Sequence, residues 1–165
     1  MRVIFLDIDG VLNSQRYFEE ALDATGPLSF GEEQLDPEAV GLLDGLVKSA
    51  DADVIISSSW RHIWGYEEIA QFLKNRGMKN WKRVTGQTEV ADGEHRGNEI
   101  QAWLDLERER QVVEPDRVSV QAYVILDDND QFTSTQRPFF IHTNSMVGLT
   151  PADVARAAAI LRSPG

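Results

Sequence analysis

Met1-Arg2-Val3-Ile4-Phe5-Leu6-Asp7-Ile8-Asp9-Gly10-Val11-Leu12-Asn13 is the stretch that decides the fold. Val3 to Leu6 is an unbroken apolar run, the pattern of a strand buried on both faces of a parallel sheet. Asp7 and Asp9 then emerge at its carboxyl end, the edge where open α/β sheets bind their ligands. Carboxylates gathered at such an edge repel one another unless a cation or a proton intervenes, and Mg²⁺ suits hard oxygen ligands. Gly10 lets the chain turn sharply as it leaves the strand. A plain Asp-Gly hairpin turn would explain Asp9-Gly10. It gives no reason for Asp7, nor for a second acidic cluster at Asp127-Asp128.

At 165 residues the chain is long enough for one domain with a proper core. Hydrophobic residues make up 42% and charged residues 26%, as in ordinary globular proteins. With no cysteine, disulfides and thiolate metal sites are excluded. His62, His95 and His142 lack the close spacing of a zinc site. The opening apolar run is too short for a signal segment or a membrane span, which makes a cytoplasmic protein the default expectation. Sixteen basic residues against 27 acidic ones leave a net charge of −11. That balance argues against broad electrostatic affinity for nucleic acid, while still allowing a local basic pocket for one phosphate.

Apolar runs alternate with helical patterns along the chain, the signature of a parallel sheet flanked by helices. Strands are expected at about 2–7, 53–57, 82–85, 122–126 and 138–141. Asp36-Pro37-Glu38 reads as an N-cap with proline at the first helical position, opening a helix that runs to about Ser49. Glu67 to Arg76 forms a second helix stopped by Gly77. A third runs from about Asn98 to Arg110 with Ile100, Trp103, Leu104 and Leu106 inward, and Thr150-Pro151 opens the last. Residues 13–35, with Gly26-Pro27 and Gly31, read as an irregular, flap-like insert. The expected fold is a Rossmann-like three-layer α/β sandwich with a five-stranded, mainly parallel sheet, as one domain over residues 1–165.

Four segments at expected strand ends or helix starts carry the chemistry. They are Asp7-Ile8-Asp9, Ser57-Ser58-Ser59-Trp60-Arg61, Arg96-Gly97-Asn98-Glu99-Ile100, and Asp127-Asp128-Asn129-Asp130. In kind and in order they resemble the motifs of the haloacid dehalogenase (HAD) superfamily of phosphohydrolases. Leu-Asp-Ile-Asp-Gly-Val-Leu-Asn, Ser-Ser-Ser-Trp-Arg, Arg-Gly-x-Glu-Ile and Leu-Asp-Asp look most like the small HAD domains of Swiss Army Knife RNA repair proteins.

The resemblance implies Asp7 as the nucleophile that takes the phosphoryl group and Asp9 as the acid and base. It implies Mg²⁺ held by the Asp7 and Asp127 side chains, by the Asp9 backbone carbonyl, and by Asp128 directly or through water. Ser57 would hydrogen-bond a phosphoryl oxygen, with Ser58 in reserve, and Arg96 would neutralise charge. The family usually has lysine in the third motif, so Lys79 and Lys82 are the alternatives to Arg96. Arg96 is preferred because it adjoins an expected helix N-terminus, where anions bind.

Each candidate also has a plainer reading. One of the three serines is expected to cap a turn. Arg61 is either an ion-pair former or a second phosphate ligand. Trp60 and Trp64 could stack on a base, although core or rim packing is the commoner use of tryptophan. Asp130 could join the metal shell or simply form a turn, and Glu19, Glu20, Glu32 and Glu33 read as solvated surface.

Neither residues 13–35 nor residues 62–95 have room for a full cap domain, so the resemblance implies an open site. The expected activity is a Mg²⁺-dependent phosphomonoesterase acting on a phosphorylated substrate, with a polynucleotide end first. The alternatives are a nucleotide or sugar phosphate, or a phosphoacceptor domain that does not turn over.

Overall fold

The computed structural model describes residues 1–90 and 95–163. In chain order it contains β1 (Arg2–Leu6), α1 (Gln15–Thr25), α2 (Pro37–Ala50), β2 (Ala52–Ile56) and α3 (Tyr66–Asn75). There follow β3 (Val84–Gln87), α4 (Arg96–Val113), β4 (Ala122–Asp127), β5 (Phe140–His142) and α5 (Pro151–Arg162). The strands form one sheet in the order β3-β2-β1-β4-β5, and every pairing is parallel. β1 lies at the centre, paired along its whole length with β2 and β4. This explains why Val3 to Leu6 carry no polar residue: neither edge nor either face of that segment meets water.

Side chains alternate between the two faces. Ile4, Leu6, Val54, Ile56, Val124 and Leu126 join the larger core with α2, α3 and α5. Val3, Phe5, Ile55 and Ile125 face the other way and pack with Ile100 and Leu104 of α4. The result is a three-layer α/β sandwich of Rossmann-like type, as the sequence pattern implies. Among the described residues no helix is long and apolar enough to cross a membrane.

Several boundaries differ from the sequence expectation for local reasons. Trp81–Arg83 and Arg137–Phe139 form 3₁₀ turns, which push β3 and β5 two residues later than expected. α4 begins at Arg96, two residues early, and Leu106 lies toward solvent at 39% exposure. Residues 13–35 are less irregular than expected. Ser14 caps α1 by accepting a hydrogen bond from the Tyr17 amide, and an 11-residue helix follows with no buried residue. Its first amide groups, on Gln15 and Arg16, donate to the carbonyls of Ser145 and Met146, so the loop after β5 holds the helix start.

The start of α4 is held just as closely. Gln136 is fully buried, its amide donates to the Gly97 carbonyl at 2.7 Å, and the Gly97 amide donates to Gln131 at 3.3 Å. A Cβ at Gly97 would lie 2.6 Å from Gln136 Oε1 and 2.9 Å from the Gln131 carbonyl oxygen. Gly97→Ala should therefore destabilise the protein by about 1–3 kcal/mol in chemical denaturation. Gly45→Ala, on the open face of α2 with nothing near its Cβ, should instead stabilise it by about 0.4–1 kcal/mol. Equal effects at the two sites would contradict the tight docking of α4.

Candidate active site

The parallel ladder continues one step beyond the strands. Thr88 donates its amide to Ile56, Ser57 to Leu6, Asp7 to Leu126 and Thr143 to Asp127, all at 2.8–3.0 Å. Thr88, Ser57, Asp7 and Asp127 thus stand side by side along the carboxyl edge of the sheet. Leu6, Ile56 and Leu126 face the larger core, so alternation turns Asp7, Ser57 and Asp127 toward the α4 side. Arg96, in the first turn of α4, reaches them from above.

Arg96 Nη1 lies 2.9 Å from Asp7 Oδ1 and 3.1 Å from Asp127 Oδ2. One guanidinium thereby bridges two buried acids. Asp7, Asp127 and Asp128 each offer a carboxylate oxygen within 4.8 Å of the others. Gly10 makes room for Asp128: its φ is +78°, and a Cβ there would overlap the Asp128 carboxylate. Thr143 Oγ1 donates to the Gly10 carbonyl at 2.9 Å, which fixes this turn from the β5 side. Three hard oxygen donors around a turn kept clear by glycine fit a divalent cation.

Burial drives the Asp7 carboxyl well above the ordinary carboxylate range, with the nearby charge of Asp127 adding to it and Arg96 opposing both. Burial raises Asp127 as well, again against the pull of Arg96. Burial acts to lower Arg96, but Asp7 and then Asp127 outweigh it and its pKa rises. These directions describe buried carboxyls whose desolvation Arg96 only partly offsets.

Asp9 is exposed and is not one of the three clustered acids. Its Oδ1 accepts from Asn13 Nδ2 at 2.9 Å and from Trp60 Nε1 at 3.1 Å. Asp130 also lies apart, paired with Arg137 at 3.1 Å. His142 Nε2 is 2.8 Å from the Asp128 carbonyl oxygen. Lys79 and Lys82 face elsewhere: Lys79 contributes charge beside Asp44, and Lys82 lies over the Trp81 ring.

The serines divide by position. Ser57 is 1% exposed and its Oγ has no hydrogen-bond partner. Ser58 Oγ accepts from the Trp60 amide at 3.2 Å, capping the turn Ser59–His62, and Ser59 is exposed. Arg61 is buried, donates through Nη1 to the Ser58 carbonyl at 2.9 Å, and pairs through Nη2 with Glu99 of α4. Its Nε lacks a partner, as does Thr88 Oγ1. A buried polar atom without a partner is uncommon and calls for a reason. Thr88 is a site-edge residue that sequence reasoning missed, because its place depends on the irregular register between β2 and β3.

Trp60 is buried, so its ring is unavailable for stacking on a base, and it packs with Phe30 and Trp64 at centroid distances of 5.6 and 5.3 Å. An open cleft of about 460 Å³ is lined by Asp9, Asn13 and Asp128 together with Phe18, Glu19 and Leu22 of α1. A cleft of about 550 Å³ between β3 and α4 holds none of the strand-end aspartates.

The model of the HAD domain in Swiss Army Knife RNA repair proteins matches residues 3–154. The chain belongs to this HAD family. No curated protein and no solved structure matches it. Membership suggests a hydrolase, HAD domains generally use Mg²⁺, and the Asp7, Asp127 and Asp128 cluster of this HAD domain could bind a metal ion.

The acid cluster has a thermodynamic signature. A carboxyl whose folded pKa is raised stabilises the fold below its unfolded value, about 3.9 for aspartate, and that stability is lost as pH rises through the folded value. Chelator-treated wild type should therefore lose stability as pH rises above about 4, and Asp7→Asn should lose less. At neutral pH the variant should melt higher, by about 2–4 °C for each kcal/mol relieved. Added Mg²⁺ should raise the melting temperature of the wild type and leave that of Asp7→Asn nearly unchanged. A variant that melts lower at neutral pH without metal would contradict a net cost of holding the Asp7 charge buried in this cluster.

Proposed function

We propose that this HAD domain is a Mg²⁺-dependent phosphomonoesterase that works through an aspartyl-phosphate on Asp7. The observation that carries the reading is the Arg96 bridge between Asp7 and Asp127, beside the unpartnered hydroxyl of Ser57. Phosphoryl transfer asks for alignment and for neutralised oxygen charge, and these residues supply both.

Asp7, Asp127 and Asp128 would hold the ion by their side chains and Asp9 by its main-chain carbonyl. Bound there, Mg²⁺ supplies positive charge between a carboxylate nucleophile and a phosphate dianion that otherwise repel. Ser57 donates its hydroxyl to a phosphoryl oxygen. Arg96 orients Asp7 and meets charge on the transferring group. Arg61 and Ser58 brace the turn that carries Ser57, and the free Nε of Arg61 is the atom through which it would meet phosphate.

In the first half-reaction an Asp7 oxygen bonds to phosphorus while the ester P–O bond breaks, and the leaving oxygen takes a proton from Asp9. In the second, water attacks phosphorus and gives a proton to Asp9. The bond from Asp7 to phosphorus breaks, which returns both aspartates and releases inorganic phosphate.

For substrate we favour a phosphorylated polynucleotide end. The family description, which refers to RNA repair proteins, and the open cleft beside Asp9 support it. A second reading, a nucleotide or other small phosphomonoester, draws on a different observation. Among the described residues the cleft is lined by Asp9, Glu19 and Asp128 with no lysine or arginine, which disfavours further phosphates near the leaving group.

Phosphate release with Mg²⁺, measured on 3′- and 5′-phosphorylated oligonucleotides, mononucleotides, sugar phosphates and an aryl phosphate, tests the reading with Asp7→Asn as blank. Release above the blank is expected, with oligonucleotide ends preferred. Release equal to the blank on every member would overturn it. Arg96→Ala should lower turnover by about 10²–10³-fold, whereas Lys82→Ala should have little effect. The reverse ranking would move the third motif to the lysine.

A further inference from the structure

We propose that Trp60 and Asn13 are positioning residues that anchor the Asp9 carboxylate by one oxygen, Oδ1, and so assign proton transfer to the other, Oδ2. The proposal rests on the reading of Asp9 as the acid and base. It adds which atom acts and what holds it there.

Asp9 is exposed, and an exposed aspartate is ordinarily free to rotate. Here two donors from separate parts of the chain converge on the same atom. Asn13 Nδ2 lies 2.9 Å from Asp9 Oδ1, and Trp60 Nε1 lies 3.1 Å from it across 51 residues of sequence. Neither donor is itself loose. Asn13 is buried, and its own Oδ1 accepts the Gly10 amide at 2.9 Å. Trp60 is 1% exposed and lies against Phe30 and Trp64, with Trp64 in turn edge-on to Phe72 at 5.2 Å.

A buried indole N–H seeks an acceptor in any fold, and that alone would account for one hydrogen bond. It does not account for a second donor on the same oxygen, supplied by a side chain already fixed through the turn that carries Asp9. With two N–H groups aimed at Oδ1, a proton there would have to displace one of them, so the acid proton resides on Oδ2. The clamp also removes rotation that the transition state would otherwise have to freeze, a familiar source of rate enhancement. When the ester P–O bond breaks and its electron pair moves to the leaving oxygen, the Oδ2 proton moves to that oxygen and Asp9 becomes a carboxylate.

Trp60→Phe deletes the N–H and keeps an aromatic ring in the stack. Asn13→Asp keeps the acceptor for the Gly10 amide and replaces the donor with a repelling oxygen. The readout is kcat/KM with Mg²⁺ across aryl to alkyl phosphates, because an alkyl leaving group needs the proton and a p-nitrophenyl group does not. Each variant should lose about tenfold or more on the alkyl ester relative to p-nitrophenyl phosphate. Adding Trp60→Phe to Asp9→Asn should not steepen the dependence further.

A merely structural role would lower kcat/KM for all esters alike, and that result, or an unchanged slope in both variants, would overturn the positioning role while leaving the phosphatase reading in place. A wild type that releases phosphate from none of the esters would overturn both. The Mg²⁺-dependent shift in melting temperature identifies folded variants. If Trp60→Phe fails to fold, the slope of Asn13→Asp decides alone.

Discussion

The burial of carboxylates crowded at one sheet edge is the constraint on which the rest of this structure turns. Two unit charges about 4 Å apart at an effective dielectric near 20 interact by about 4 kcal/mol, a large fraction of a small domain's net stability. The sheet enforces the crowding, because hydrogen-bonded neighbours β1 and β4 place Asp7 and Asp127 at adjacent register positions. Arg96 is the permanent counterweight, and its place is secured by the buried Gln136 amide on the Gly97 carbonyl and by the close approach permitted at Gly97. Arg96 meets Asp7 and Asp127, and the Arg61 guanidinium nearby is taken up by Glu99, so the acids keep a deficit of positive charge that a divalent cation would fill. Binding affinity and fold strain are two expressions of the same electrostatics.

A second layer of organisation concerns the acid that stays outside the cluster. Asp9 follows Asp7 by two residues, yet it belongs to a different environment: solvent on one side, Asn13 and Trp60 on the other. The separation suits two carboxylates that have different work to do. It also ties the insert after β1 to the chemistry. Phe30, from that insert, packs on the indole that holds Asp9, and α1 supplies the apolar wall of the cleft beside it. A short insert can therefore shape both the acid and the approach to it without enclosing the site as a cap domain would.

Much of this was legible in the chain because the relevant signals are local. The Val3–Leu6 and Val124–Leu126 runs, each ending in aspartate, mark buried parallel strands and the edge where ligands bind. Asp36-Pro37 and Thr150-Pro151 mark helix starts, and the structure has caps at both. What escaped is non-local or lacks a core-facing pattern. α1 buries nothing, so its periodicity carries no packing signal, although Ser14 with Tyr17, Phe18, Ala21 and Leu22 had helical spacing. Arg61 reads as a surface or ligand residue until α4 folds over it and brings Glu99, 38 residues away. Trp60 reads as ordinary core until its indole meets Asp9, and Thr88 reads as nothing until the irregular β2–β3 register sets it beside Ser57.

The central claim is that Asp7 becomes covalently phosphorylated during turnover, and it can be tested at that one atom. Rapid acid quenching during turnover, followed by borohydride reduction, converts an acyl phosphate to an alcohol that mass spectrometry locates by peptide. The account predicts homoserine in place of aspartate at position 7, dependent on Mg²⁺ and on substrate, with Asp9 unmodified. Phosphate release in the same experiment with Asp7 unreduced, or with the modification at Asp9 or Asp127, would contradict it.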